Sequence, residues 1–462
     1  PTVQLEEQSF TLRPSRTDKN ATLVIESSGS GVLWIDMVSL TRDDYVATGC
    51  RTDLLNAVQA LKPPIIRWPG GCFASIYRWK RGIGPQHERK PFYNYVWGEW
   101  DSCGFGIDEY IRLCRTVGAE PMVVVNLGSW DDPAKEEEYI REALEWIEYC
   151  NGDASTPMGA LRAANGHPEP YNVVNWEMDN ETWGMGVERY GRLVANVAGR
   201  IRQRWPNLKI YACTFWEQGD PRLLELCGQY IDYISYHFYE DPNKYATAPG
   251  FYEGLWKRYA DIIARSPNPR VRVAVTEWNA QSTDWRTGLF AGGYLNVMER
   301  SADVVRVATP ALFLRRVDAP AWDNAFINHD HTSWFPAPNY VVMKLYRDHF
   351  QPLRVACQSP ESLNVTATRS PDGRHVVVKI VNADRRAQTA DLVVDAPFRV
   401  RGVRAQRVAA RLDDRNTLQD RNRIAPTAVT VQKAGDRITL DLPPLSVTVV
   451  EMTGSGLPPE AE

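Results

Sequence analysis

Long apolar runs are missing from this sequence. No uninterrupted hydrophobic stretch approaches the roughly 20 residues that a membrane-spanning helix needs. The opening Pro1-Thr2-Val3-Gln4 has neither an initiating Met nor the apolar core of a secretion signal, so the reading is a chain with no membrane partner and a processed N-terminus. An excess of either charge is also missing: 53 Lys and Arg face 57 Asp and Glu, a net charge of −4, and no basic field draws the protein to nucleic acid. Cysteine is sparse. The eight, at Cys50, Cys72, Cys103, Cys114, Cys150, Cys213, Cys227 and Cys357, form no Cys-x-x-Cys pair and read mostly as small buried hydrophobes. That usage leaves the compartment open, with a secreted or periplasmic setting favoured over the cytoplasm. Neither a Gly-x-Gly-x-x-Gly after the first candidate strand nor a Gly-Lys-Ser/Thr loop occurs, which argues against nucleotide and phosphate-loop chemistry.

What is present is a globular composition, 44% hydrophobic and 24% charged, over 462 residues. That length suits one large domain or a few ordinary ones. The 16 Trp are conspicuous, and none lies beyond Trp334. Indole faces suit the flat apolar faces of sugars, and they also fill large cores.

From about residue 30 to 320, short apolar runs alternate with amphipathic segments of helical period, the pattern of repeated βα units. The candidate strands are Val32–Met37, Pro64–Trp68, Pro121–Asn126, Tyr171–Trp176, Lys209–Thr214, Tyr233–His237, Arg272–Thr276 and Ala308–Leu314. Eight strands with intervening helices predict an α/β fold, a (β/α)8 TIM barrel. After residue 352 the period becomes two, with turn residues at Pro371-Asp372-Gly373 and Ala434-Gly435-Asp436. This predicts a C-terminal antiparallel β-sandwich. The expected organisation is N-terminal strands over 1–30 belonging to a sandwich, a catalytic barrel over 31–350, the sandwich over 351–454 and a tail over 455–462. Without Trp, the sandwich reads as a structural partner of the barrel.

In such a barrel the reactive groups project from the C-terminal ends of the strands. Those ends hold Arg67 and Cys72, then Asn126, then Glu177, Asp179, Asn180 and Glu181, then Tyr236, His237 and Tyr239, and finally Glu277 and Trp278. Carboxylates, an Arg, amides and aromatic rings together are a sugar-cleaving inventory. Glycosidic bond cleavage needs two opposed carboxyls, one to protonate the leaving oxygen and one to attack the anomeric carbon or activate water. Glu181 and Glu277, placed after strands four and seven, are the best pair, with Glu177 and Asp179 as competitors. His329-Asp330-His331 falls after the last barrel strand and reads as a loop, so no metal and no cofactor are expected. None of these strand ends offers a Lys for Schiff-base chemistry.

The strings Ile66–Phe73 with Gly82–Pro85, Val117–Gly128, Trp176–Glu181, Ile234–Tyr239 and Thr276–Asn279 resemble, in order, glycoside hydrolase family 51, whose best-known members are α-L-arabinofuranosidases. Asp414–Asp420, Ile424–Pro426 and Pro444–Thr448 resemble that family's C-terminal domain. The resemblance implies a retaining two-glutamate mechanism with Glu181 as general acid/base and Glu277 as nucleophile. It further implies that Arg67 and Tyr236 hold Glu277, that Asn180 bonds the hydroxyl beside the anomeric carbon, and that His237 orients Glu181. Tyr239, Trp278, Cys72 and Asn126 would complete the substrate site. The partner implied is an oligo- or polysaccharide such as arabinoxylan, arabinan or β-glucan, and the sequence leaves room for a homo-oligomer. Two departures bear on sugar preference. Val32–Leu40 stands where the family carries Gly-x-Phe-x-Glu, and Leu312 and Arg315 stand near an expected Gln. The alternatives are therefore a variant acting on β-linked pyranosides and a non-catalytic carbohydrate-binding barrel.

Overall fold

The computed structural model describes residues 8–18, 20–319, 322–394, 397–435 and 437–457. Seven strands, β1 (Ile65–Trp68), β2 (Glu120–Val125), β3 (Asn175–Met178), β4 (Lys209–Cys213), β5 (Tyr233–Glu240), β6 (Arg272–Ala280) and β7 (Val305–Ala308), pair side by side in chain order and all run parallel. Helix α1 (Thr52–Ala60) leads into β1, and α2 (Ile107–Val117), α3 (Glu136–Asn151), α4 (Val187–Arg204), α5 (Trp216–Cys227), α6 (Ala248–Ala264) and α7 (Trp285–Arg300) make the crossovers between successive strands. A parallel sheet covered by helices is buried on both faces, which is why Val123–Val125 and Val273–Val275 read as continuous apolar runs and are fully buried. Met122, Tyr211 and Ala274, with Ile65, Tyr233 and Val307, pack as a layer of their own across the strands. The fold is that of a (β/α)8 barrel.

Its first expected strand is absent from that sheet. Phe10–Leu12, Ala21–Ile25 and Val32–Met37 carry no strand pairing, while Val3–Leu5 lies outside the described residues. These residues belong to a separate unit, Pro1–Thr41, in which Phe10, Val32 and Trp34 are exposed. Alternating apolar residues advertise a strand, but a strand persists only where a neighbour takes up its N–H and C=O groups. The described residues supply no such neighbour. Glu181 therefore follows the third, and Glu277 lies in the sixth, of seven described strands.

Beyond helix Pro338–Asp348 the chain forms two antiparallel sheets. One has six strands, from Leu353–Val355 to Thr427–Val429; the other has three, Gln388–Val393, Arg437–Leu442 and Gln432–Ala434. Val376, Val378, Ile380, Ile438, Leu440 and Val450 fill the space between them. The other face of the larger sheet, through Val377, Val381, Val447 and Val449, packs on Trp285 and Leu289 of α7. A Cβ at Gly292 would stand 3.0 Å from Val447 and 3.1 Å from Val381, so the bare position lets this helix lie close against the sheet. Trp285 Nε1 donates to the Leu445 carbonyl at 2.8 Å, and Asn416 Nδ2 donates to the carbonyls of Pro336 and Ile424 at 3.0 and 3.1 Å. The string from Asp414 to Ile424 is thus a staple between barrel and sandwich.

Candidate active site

Residue parity on two adjacent strands builds most of the site. On β5, Ser235, His237 and Tyr239 face inward while Tyr236 and Phe238 pack outward on α6 and α7, as a period of two requires. On β6 the register slips by one residue: Tyr236 pairs with Val275 but His237 with Glu277. This bulge lets Thr276 and Glu277, consecutive in sequence, both join the inward network.

Arg67, at the end of β1, ties that network together. Its Nε donates to Glu177, its Nη1 to Glu277 Oε1 at 2.7 Å and its Nη2 to Asn180 Oδ1 at 2.8 Å. The guanidinium is 6% exposed, and Glu177 and Glu277 are 0% and 6% exposed. Glu277 Oε1 also accepts from the Gly71 amide at 3.2 Å, and Oε2 accepts from the Tyr239 hydroxyl at 2.6 Å. Burial alone would raise the Glu277 pKa, but the charges of His237 and Arg67 and the Tyr239 hydroxyl outweigh it and hold this carboxyl below its ordinary range. Glu177 is balanced the same way: burial pushes it up, and Arg67 and His237 bring it down to about 2.

His237 spans the two halves of the site. Its Nδ1 lies 3.0 Å from Glu181 Oε1 and its Nε2 lies 2.8 Å from Thr276 Oγ1. Ser235 and Thr276 hydroxyls reach back to Glu177. Burial would lower the His237 pKa; the nearby charge of Glu277 and the hydrogen bonds of Glu177 and Glu181 raise it to about 9. The ring is therefore an imidazolium at neutral pH, donating from both nitrogens.

The chain between β3 and Glu181 is bent into position. Asp179 and Glu181 both have left-handed backbone, φ 68° and 47°, a conformation disfavoured for a side chain as long as Glu. Asp179 secures the turn by accepting from Ser75 Oγ at 2.6 Å, Leu127 N at 2.8 Å and Asn180 N at 2.7 Å. Glu181 projects into the site with a side chain 22% exposed. Its Oε2 is 3.9 Å from Cys72 Sγ, a thiol that burial and the charges of Glu181 and Glu277 push up to about 11. Asn180, with its Oδ1 held by Arg67, has a buried Nδ2 with no partner among the described residues. One ligand-type atom each from Glu181, His237 and Glu277 lie within 4.8 Å of one another. Such a trio has the ligands for a cation, but Arg67, Gly71 and Tyr239 already occupy both Glu277 oxygens, and Thr276 and Glu181 occupy both His237 nitrogens.

The structure brings Arg67, Cys72, Asn180, Glu181, His237, Tyr239 and Glu277 together. It places three expected residues elsewhere. Tyr236 meets Trp256 and Tyr259 edge-on, so the hydroxyl on Glu277 comes from Tyr239 instead. Trp278 is 0% exposed and packs against Tyr294 and Phe326 on the outer side of β6. Motif position alone puts both beside the site, and strand parity turns them away. Asn126 spends its side chain on the backbone, accepting from Gly128 N at 2.8 Å and donating to the Tyr77 carbonyl at 3.3 Å. Ser75, Ser235 and Thr276 were missed; the alternation Ser235-x-His237-x-Tyr239 was a signal for the second. Trp322, which meets the Tyr239 ring edge-on at 4.6 Å, lies in a late loop that carries no motif.

Residues 57–258 match the family described as "Alpha-L-arabinofuranosidase 1 domain", and residues 265–446 match "Alpha-L-arabinofuranosidase C-terminal domain". Alpha-L-arabinofuranosidase 1 of Arabidopsis thaliana is 25% identical over 96% of this chain and 66% of its own length. An extracellular exo-alpha-L-arabinofuranosidase of Streptomyces chartreusis is 27% identical over 73% of this chain and 43% of its own length. The chain thus spans between about two fifths and two thirds of these relatives. Among solved structures, the alpha-L-arabinofuranosidase of Thermotoga maritima in complex with arabinose superposes with a TM-score of 0.79 at 26% identity, covering 88% of this chain and 90% of that one.

Proposed function

Because this chain is a member of glycoside hydrolase family 51, we propose that it is a retaining α-L-arabinofuranosidase acting on arabinose-substituted polysaccharide. The observation that carries the reading is one pair of facing carboxyl groups, Glu181 and Glu277, with one oxygen of each within 4.8 Å of the other. That spacing suits direct attack by one carboxylate, since an inverting pair stands further apart to admit a water.

Glu277 is the nucleophile. Arg67, Tyr239 and the Gly71 amide hold it ionised and fixed, and it attacks the anomeric carbon as the bond to the leaving oxygen breaks. Glu181 delivers a proton to that oxygen. Its Oε1 accepts from the His237 imidazolium, which leaves Oε2 to carry the transferable proton. The Glu277 ester is then hydrolysed by a water whose proton Glu181 takes back. Asn180 Nδ2 is the free donor for the hydroxyl beside the anomeric carbon. Cys72, on the Glu181 side, and Tyr239, beneath Trp322, wall the sugar subsite.

A pyranoside-cleaving variant is not favoured, because the relatives described above, in sequence and in structure, are arabinofuranosidases. A binding protein has no use for two opposed carboxylates with a shared imidazolium between them. Initial rates on aryl α-L-arabinofuranoside, β-D-xylopyranoside, β-D-glucopyranoside and β-D-cellobioside test this. Turnover is expected on the first; turnover confined to the pyranosides, or silence on all four, would overturn it.

A further inference from the structure

Outside the carboxylate pair, the barrel mouth carries an indole held in an unusual way. Trp216 is the first residue of α5, just beyond β4, and its backbone is left-handed at φ 56°. A bulky side chain rarely adopts that conformation, and it persists where its surroundings hold it in place. Here they do. The Trp216 amide donates to Thr214 Oγ1 at 2.9 Å, and that hydroxyl donates to Asp220 Oδ2 at 2.6 Å. Asp220, fully buried, also accepts from Phe215 N at 2.6 Å and Tyr259 Oη at 2.7 Å. Burial raises Asp220 to about 6 against the pull of these donors.

This clamp presents the Trp216 ring, 40% exposed, in a stack on Trp183 with centroids 4.7 Å apart and planes 24° from parallel. Trp183 is fixed in turn, its Nε1 donating to the Thr214 carbonyl at 2.9 Å. It stands two residues after Glu181, the acid/base, which serves the side of the site from which a leaving group departs. An exposed indole at that place offers a flat apolar face of the kind that pyranose rings lie on through their C–H groups.

We propose that Trp216 is a specificity-determining residue of the leaving-group subsite, stacking on a pyranose of the substrate backbone and favouring arabinose borne on a pyranan, such as xylan, over arabinose borne on arabinan. The inference rests on the retaining reading above. In that cycle the glycosyl–Glu277 ester reacts with water or with a sugar hydroxyl held in the same subsite. In the second case the ester C–O bond breaks, the anomeric carbon bonds to the acceptor oxygen, and the acceptor's proton passes to Glu181.

The test is the ratio of transfer to hydrolysis when an aryl α-L-arabinofuranoside is turned over with xylobiose as acceptor. Trp216→Ala is expected to lower this ratio about tenfold, the scale of one aromatic stacking contact. Trp216→Tyr, which retains a ring and guards against a folding failure of the smaller variant, is expected to keep most of it. With arabinobiose as acceptor the ratio is expected to change little. An unchanged xylobiose ratio in folded Trp216→Ala, or a tenfold loss in Trp216→Tyr, would overturn the proposal, as would an equal loss with both acceptors. Should wild type release nothing from the aryl arabinofuranoside, it is the retaining arabinofuranosidase reading that fails. The platform is then judged by quenching of tryptophan fluorescence by xylotetraose: quenching in wild type that Trp216→Ala abolishes upholds it, and no quenching in wild type overturns it.

Discussion

Replacing Arg67 by Met removes a buried cation and keeps much of its length. Three acceptors then lose their donor at once: Glu177, Glu277 and Asn180 Oδ1. Stripping one partner from a buried ion pair costs about 3–5 kcal/mol, because the remaining charge stays desolvated and uncompensated. Arg67→Met should therefore lower unfolding stability by at least that amount at neutral pH. The loss should depend on pH in one direction. In the wild type Glu177 is lowered to about 2 and Glu277 is lowered as well, both from an ordinary 4.5. Carboxyls with depressed pKa contribute stability that is full above their unfolded value and fades as pH falls toward the folded one. In the variant, burial is no longer opposed by the guanidinium, so these groups take up protons more readily and the variant gains relative to wild type as pH falls. Urea unfolding at neutral pH and again at about pH 3, read by the denaturant midpoint and slope, measures both effects. A loss under 1 kcal/mol at neutral pH, or an equal loss at both, would refute the view that Arg67 neutralises the two glutamates.

Removing the imidazolium with His237→Gln takes away the largest of the charges that oppose burial at Glu277. The acidic limb of the kcat/KM–pH profile should move to higher pH. Because the folded His237 pKa is raised from 6.5 to about 9, its contribution to stability is full below 6.5 and lost as pH rises through 9. Stability of the variant measured over that range should lack this decline. Tyr239→Phe deletes a hydrogen bond to an ionised nucleophile, worth about 1.5–3 kcal/mol, and should cut kcat/KM by about tenfold to a hundredfold. Tyr236→Phe, whose hydroxyl lies on the outer side of the strand, should leave kcat/KM and its acidic limb unchanged. Trp278→Ala opens a cavity between β6 and α7 and should cost about 3–5 kcal/mol in urea unfolding.

Much of this site was legible because a barrel delivers its chemistry at strand ends, where residue type stands out from the surrounding apolar runs. Arg67, Asn180, Glu181, His237 and Glu277 were found by that reasoning and by the ordered motifs around them. Tyr236 and Trp278 were misplaced for one reason: a motif gives neighbourhood along the chain, whereas facing is set by parity within the strand. The bulge at Val275–Glu277 complicates parity further, since it turns two consecutive residues inward and no local turn residue announces it. Glu177 was weighed as a rival carboxylate, and the structure shows why it drew attention: it is the second counter-ion of Arg67. Val32–Met37 was misread because apolar alternation is a local signal and strand pairing is not. The sandwich, by contrast, was plain from its period of two and its turn residues. Its attachment through Trp285, Gly292 and Asn416 depends on contacts between residues 80 or more apart in the chain, which periodicity cannot report.

The central claim is that Glu277 forms a covalent bond to the sugar while Glu181 moves protons. Glu181→Ala, given an aryl α-L-arabinofuranoside with a good leaving group, should release the phenol in a burst and then stall, because no base remains to activate water. Peptide mass spectrometry of the stalled enzyme should find one arabinosyl residue on the peptide containing Glu277. An adduct on Glu177 or another carboxylate, or product of inverted configuration with no adduct at all, would contradict the account.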